Sequence, residues 1–297
     1  MCIRDSDCCM KIQYRGVRKA INNDIRVLKL LLKFFNFIPA EINLKAMFEE
    51  IKAMLVLETD YTSEAKNTIE FRRLLEREDS FYVPKVIDNY SNEIILTTEF
   101  IKGKSIHDID ELSLSQDQRN HLGREFMRLF LLEIFVFEKV QTDAHFGNYL
   151  IITEPELKWG LIDFGAIKEP PKEFIKNYQK LILNLRDNDR ESFIKTLRLM
   201  GYLSEKKESD MELFWEYAQV IGAAFVDADF DWGETDIADK VFEYIPKLMK
   251  SISIGNPPAD TIFLDKKLGG VFFILQKLRA NFNLNELIGE VLRTSKT

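Results

Sequence analysis

QTDAHFGNYLI, residues 141–151, closes a long apolar run with an aspartate, a histidine, a glycine and an asparagine inside six positions, and LIDFGAI, residues 161–167, returns to the same chemistry. Asp143, Asn148 and Asp163 offer hard oxygen atoms, the donor type that magnesium prefers. Gly147 and Gly165 stand beside them, where a residue without a Cβ lets the backbone turn sharply. The flanking stretches YLIIT and WGLID read as short strands, so the polar groups fall in turns rather than on a helix face.

Asp143 and Asn148 stand in the D-x-x-x-x-N spacing of a kinase catalytic loop, and Asp163 opens the D-F-G triplet that comes after such a loop. Singly, each would be an ordinary turn or cap residue. Together they point to phosphoryl transfer, in which an aspartate accepts or orients the acceptor's proton while an asparagine and a second carboxylate hold magnesium against a triphosphate. Lys11, in MKIQ, lies on an expected strand, where its ammonium would contact the α and β phosphates if a helix glutamate held it. Glu64 is the expected partner. His145 has no second histidine nearby and is read as ordering the loop through a hydrogen bond rather than as a metal ligand.

Farther out, 297 residues at 46% hydrophobic content can bury more than one small core. A net charge of -7, with Lys and Arg scattered among the acids, argues against a nucleic-acid partner. Cys2, Cys8 and Cys9 lack both zinc-ligand and disulfide-framework spacing, which fits a reducing compartment, cytoplasmic, peripheral to a membrane or organellar. No apolar stretch reaches the roughly 20 residues that span a bilayer, and no signal peptide is legible. The opening MCIRDSDCCM shares no periodicity with the residues after it, so residues 1–10 are expected to be a non-native or disordered leader.

Ile21, Ile25, Leu28, Leu32 and Phe35 follow helical spacing opposite Arg18, Arg26, Lys29 and Lys33. This basic amphipathic helix, 18–37, either packs its apolar face inward or rests on an anionic membrane. A second helix from Glu41 runs into ETDYTSEAKN, where Asp60, Glu64 and Asn67 would share one face; Glu58 would point elsewhere, so either the helix bends or Glu58 has a separate task. FYVPKVIDNYSNEIILTTEF reads as a two-stranded hairpin with a Ser-Asn turn. Ser115 is expected to cap a helix over 116–140, with further helices near 172–188, 191–200, 210–226, 236–252 and 262–292. The expected class is α+β and two-lobed, with a small partial sheet lobe at 11–102 carrying an inserted helix, and a large mainly helical lobe at 103–297.

With KIQYRGV, ETDYTSEAKN, TDAHFGN, LIDFGAI and PPADTIFLDKKLGGVFFIL in this order, the chain resembles the UbiB/AarF family of atypical protein-kinase-like proteins from about Lys11 to Leu292. The resemblance implies a protein-kinase-like fold using ATP and Mg2+. It implies Lys11 and Glu64 as the ion pair that sets the nucleotide, Asp143 as the catalytic-loop aspartate, and Asn148 and Asp163 as the magnesium ligands. Glu58 and Asp60 match the family's E-x-D motif, and Asn67, His145, Gly147, Phe164 and Gly165 match its other motif positions. Relatives support isoprenoid quinone biosynthesis or lipid homeostasis at membranes, which implies a quinone-precursor or lipid ligand. In relatives the E-x-D motif faces a K-x-G-Q helix, and an alanine-rich loop covers the phosphates. This sequence opens at the lysine strand, so those elements are expected to be missing and nucleotide binding to be weak. Ala144 and Phe146 stand where relatives usually have prolines, and Gln141 where many have histidine.

Three functions are consistent with these residues: an ATPase or small-molecule kinase, a nucleotide-gated binding module of pseudokinase type, and an aminoglycoside or choline kinase-like phosphotransferase. The last shares a related catalytic loop but lacks the E-x-D helix and the KLGG ending.

Overall fold

The computed structural model describes residues 2–3, 6–17, 20, 21, 23, 25–27, 52, 55–57, 59–143, 145–203, 208–226, 228–250 and 259–294. In chain order its strands are β1 (Cys2–Ile3), β2 (Ser6–Ile12), β3 (Phe81–Tyr82), β4 (Ile95–Glu99), β5 (Lys104–Ser105), β6 (Val140–Gln141), β7 (Tyr149–Ile152), β8 (Lys158–Leu161), β9 (Ile167–Lys168), β10 (Phe230–Asp231) and β11 (Asn281–Phe282). The helices are α1 (Tyr61–Leu74), α2 (Gln116–Leu132), α3 (Lys172–Arg186), α4 (Arg190–Leu199), α5 (Glu208–Gly222), α6 (Ile237–Lys250), α7 (Ala259–Leu278) and α8 (Leu284–Thr294). Two compact units result, Met1–Lys104 with Gly147–Ile167, and Ser105–Phe146 with Lys168–Thr297. The fold is α+β and kinase-like, as expected.

In the first unit β2 pairs antiparallel with β4, Cys8 opposite Glu99 through Ile12 opposite Ile95. This strand runs without a break through position 10, and Cys8 is buried while Cys9 is exposed. An ordered strand thus crosses the boundary expected at 10 between a non-native or disordered leader and the fold, and the alternation in SDCCMKI is that of a half-buried strand. The expected hairpin is corrected too. β3 pairs in parallel with β8, Phe81 opposite Trp159, while β4 takes β2 as its ladder partner. Isolated bridges, Val86 to Thr98 and Asn92 to Ile95, link the two arms in place of a continuous ladder. Pro84 lacks an N–H and cannot extend that ladder.

Because β8 pairs with both β3 and β7, the segment Gly147–Ile167 groups with the first unit and not with the helices that come after it. Near the start of the chain, Ile21 and Ile25 are buried with Val17 and Leu55 packed on them, so this part of the amphipathic face is engaged within the unit. The other positions of 18–37, and most of the helix expected from Glu41, lie outside the described residues.

The second unit is built on α2, whose start is set by its own sequence. Ser115 Oγ accepts from Gln118 N at 3.2 Å while Gln118 Oε1 accepts from Ser115 N at 2.9 Å, a reciprocal capping box. α2 stops at Leu132 rather than 140, giving way to a π turn over Glu133–Phe137 and to Glu138 in the left-handed region at φ 52°. The helix expected over 262–292 is likewise two helices, broken at Arg279 (φ 51°) and β11. Asn120 Oδ1 accepts from Asn281 N at 2.8 Å and Gln116 Nε2 donates to Arg279 O at 2.7 Å, so side chains of α2 satisfy the backbone groups that the break releases. Trp232, fully buried, stacks on Phe272 and Phe282 at 5.2 and 6.0 Å between ring centroids and anchors this end of the core.

Candidate functional site

Within the first unit, β2 and α1 deliver Lys11 and Glu64 to the turn after β8. α1 begins because Asp60 caps it, Oδ1 accepting from Ser63 N at 3.1 Å and Oδ2 from Ser63 Oγ at 2.9 Å. Thr59 is in a turn and Asp60 is the non-helical N-cap of α1, so Asp60 does not share a helix face with Glu64 and Asn67; that expectation is corrected. Glu58 lies outside the described residues. Glu64, in the first turn of α1 and 1% exposed, receives Lys11 Nζ on both oxygens at 2.9 and 3.0 Å. Lys11 Nζ also reaches Asp163 Oδ2 at 3.0 Å.

The D-F-G turn is fastened at three successive residues. Gly165 N donates to Asp163 Oδ1 at 3.0 Å, Phe164 N–H donates to the Glu64 carboxylate, and Asn67 Nδ2 donates to Phe164 O at 3.0 Å. Phe164 is buried against Phe71, ring centroids 5.0 Å apart. Gly165 does not use the left-handed region, and a Cβ there would meet Asp163 Oδ1 at 3.4 Å, an ordinary contact. The sharp-turn reason expected for this glycine is corrected, since what the turn uses is its N–H.

Strand register brings the Asn148 backbone to the start of this turn. Tyr149 stands opposite Leu161, and Ile162 N donates to Asn148 O at 3.2 Å. Asn148 and Asp163 therefore sit at the same end of the β7–β8 pair.

Burial by itself would lower the Lys11 pKa, but Asp163 and Glu64 more than offset it and hold the ammonium above its ordinary range. Glu64 is pushed up, first by burial and then by the Asp163 charge, against the pull of Lys11 and the Phe164 N–H. One ammonium serves two carboxylates, a formal sum of 1 − 2 = −1. A divalent cation at Asp163 would offset that deficit. The donor set fits magnesium, which binds through one or two carboxylates and leaves other positions to water and phosphate. Among the described residues no group of three or more His, Cys, Asp and Glu forms a cage for a metal ion.

Within the second unit, Asp143 comes just after β6, whose Val140 and Gln141 are buried. Here lie the residues that sequence reasoning missed. Lys266 Nζ, on α7, sits 3.0 Å from Asp143 Oδ1. Its neighbour Lys267, 1% exposed, lies 3.3 Å from Glu133 Oε2 and 3.3 Å from Gln141 Oε1. Gln141 in turn donates Nε2 to Asp143 O at 2.8 Å, and its backbone N–H serves Glu133. Burial pushes Glu133 up to about 7 against the pull of Lys267. The signal was present: Asp265, Lys266 and Lys267 interrupt an apolar stretch of α7, and a buried cation must have a partner. His145 is exposed, and the neighbouring Phe146 ring lies 5.0 Å from His107.

A family model described as the ABC1 atypical kinase-like domain matches residues 3–197. The mitochondrial atypical kinase COQ8B of Danio rerio is 30% identical over 292 residues, covering 98% of this chain and 46% of that protein. The mitochondrial atypical kinase COQ8 of Saccharomyces cerevisiae is 29% identical over 286 residues, covering 95% of this chain and 56% of that protein. The chain thus spans about half the length of the curated relatives it matches. Among solved structures, the complex of Rv3197 with erythromycin from Mycobacterium tuberculosis superposes with a TM-score of 0.72 at 20% identity, covering 97% of this chain and 71% of that one.

Proposed function

The chain belongs to the ABC1 atypical kinase-like family, and from that premise we propose that it is a Mg-ATP-dependent ATPase or small-molecule or lipid kinase serving isoprenoid quinone biosynthesis or lipid homeostasis. The observation that carries this reading is the joining of Lys11, Glu64 and Asp163 at 2.9 to 3.0 Å from three separate stretches of chain. Nothing in core packing calls for a half-exposed lysine between two carboxylates. Nucleotide phosphates would supply the reason.

In this reading Lys11 contacts the α and β phosphates while Glu64 fixes its ammonium in place. Asn148 and Asp163 would hold a magnesium ion, whose charge would offset that of the phosphates. Asn67 and the Phe164 backbone keep the D-F-G turn in one conformation, so Asp163 presents its carboxylate without reorganising. Asp143 accepts or orients the proton of the acceptor, and Lys266 holds its carboxylate. His145 and Gly147 belong to the same loop as motif positions, and Glu58 and Asp60 to the family's E-x-D motif. The ligands are ATP and a quinone precursor or lipid. The mitochondrial names of relatives make an organelle the first address to test, and no described helix is long and apolar enough to cross a membrane.

The test is magnesium-dependent release of phosphate from ATP by the purified chain, compared with Lys11→Met, Asp143→Asn and Asp163→Asn. Turnover that needs magnesium and falls by about a hundredfold or more in each variant is expected. Turnover unchanged in Asp163→Asn would sink the assignment. ATP binding that persists in a variant without turnover, while the biological role survives Asp143→Asn, would favour the nucleotide-gated module.

A further inference from the structure

The second unit contains a partly open cavity of about 110 Å³ among α2, α3, α4, α5, α7 and α8. Its wall is almost wholly apolar and rich in rings, among them Phe130, Phe193 and Phe214. One charged group interrupts it. Asp265, one residue before Lys266, lines the cavity and is itself exposed. Tyr178 Oη donates to its Oδ1 at 3.2 Å and Tyr202 Oη to its Oδ2 at 3.5 Å, and Tyr217 lines the wall nearby.

These donors are neutral hydroxyls. Among the described residues Asp265 has no lysine, arginine or histidine within ion-pair distance, in contrast to its neighbours, since Lys266 and Lys267 each neutralise a carboxylate. Among the described residues no basic side chain therefore competes with a ligand cation for this carboxylate. Aromatic faces beside a carboxylate are also the arrangement that recognises organic ammonium ions, through ring quadrupole and charge together.

We propose that this cavity is a binding site for a small organic ammonium ion, its apolar body among the rings and its charged nitrogen on Asp265. An apolar cavity of about 150 Å³ accommodates benzene, so the body is limited to about five or six carbon atoms. The proposal stands apart from the nucleotide reading, since none of Lys11, Glu64, Asn148 and Asp163 lines the cavity.

Three probes of one size test it on the full chain by ligand-observed NMR titration and thermal shift: isoamylamine, isoamyl alcohol and isovalerate. The amine is expected to bind about tenfold tighter than the alcohol, the difference a charge-assisted hydrogen bond makes, and the carboxylate not at all. Asp265→Asn keeps the shape and the tyrosine partners, so it should erase the preference for the amine while leaving the alcohol bound. Ala218→Met, which fills the cavity from α5, should remove both ligands. Equal binding of amine and alcohol to the wild type overturns the proposal, as does a preference that survives Asp265→Asn. Absence of binding by every probe in the millimolar range overturns it as well, whether or not either variant folds.

Discussion

Lys11 lies 2.9 Å from Glu64 and 3.0 Å from Asp163, although 53 and 152 residues separate it from them in the chain. Its pairing with Glu64 was legible because a strand lysine and an early-helix glutamate occur in motif order. Lys266 was not legible, because nothing in local sequence says that a lysine on α7 will reach a loop 123 residues earlier. Its role can be measured. Lys266→Ala should lower ATP turnover by about a hundredfold with little change in KM for ATP, and Lys266→Arg should recover part of the loss. An unchanged kcat would mean that the ion pair is only a surface contact.

Asp265 offers a test by pH at the same scale. Crowding by protein pushes its pKa up to about 6, against about 3.9 in an unfolded chain. Between those values the native state holds a proton that the unfolded state has released. The stabilisation from this group is therefore present below about pH 4 and lost as pH rises through about 6. In urea melts, the stability of the wild type relative to Asp265→Asn should fall over that window. A flat difference would contradict the shift.

At the scale of elements, helix starts were easier to read than helix ends. Ser115 and Gln118 are a local signal for α2, whereas its end depends on Glu133 turning toward the buried Lys267 of α7. The hairpin misreading has the same origin: β4 has the alternation of a strand, but its ladder partner is chosen by packing and lies far earlier, near the start of the chain. Gly123 shows how closely α2 is packed. A Cβ there would overlap Ala280 Cβ and meet Leu275 Cδ2 at 3.4 Å. On an exposed helix face Gly→Ala stabilises by up to about 1 kcal/mol. Gly123→Ala should instead destabilise by about 1–3 kcal/mol through overpacking, read as a lower urea midpoint with an unchanged slope. A higher midpoint would show that β11 can move aside.

For the whole molecule, each unit has its own core and its own share of the motif residues, with Lys11, Glu64, Asn148 and Asp163 in the first and Asp143 and Lys266 in the second. If Mg-ATP binds the folded chain alone, a concentration of 100 times Kd should stabilise it by about 2.7 kcal/mol. Thermal melts should show a rise that needs both magnesium and nucleotide and that Asp163→Asn reduces; equal rises with and without magnesium would remove Asn148 and Asp163 from metal binding. The family, the α+β class, and the identity of the residues around Lys11 and the D-F-G turn were all set by motif order and by short-range periodicity, which are properties of the linear chain. Which strands pair, where α2 and α7 end, what holds Asp143, and that Asp265 faces an apolar cavity were settled only by folding. Those outcomes turn on long-range contacts and on the cost of burying charge, neither of which has a local sequence signature.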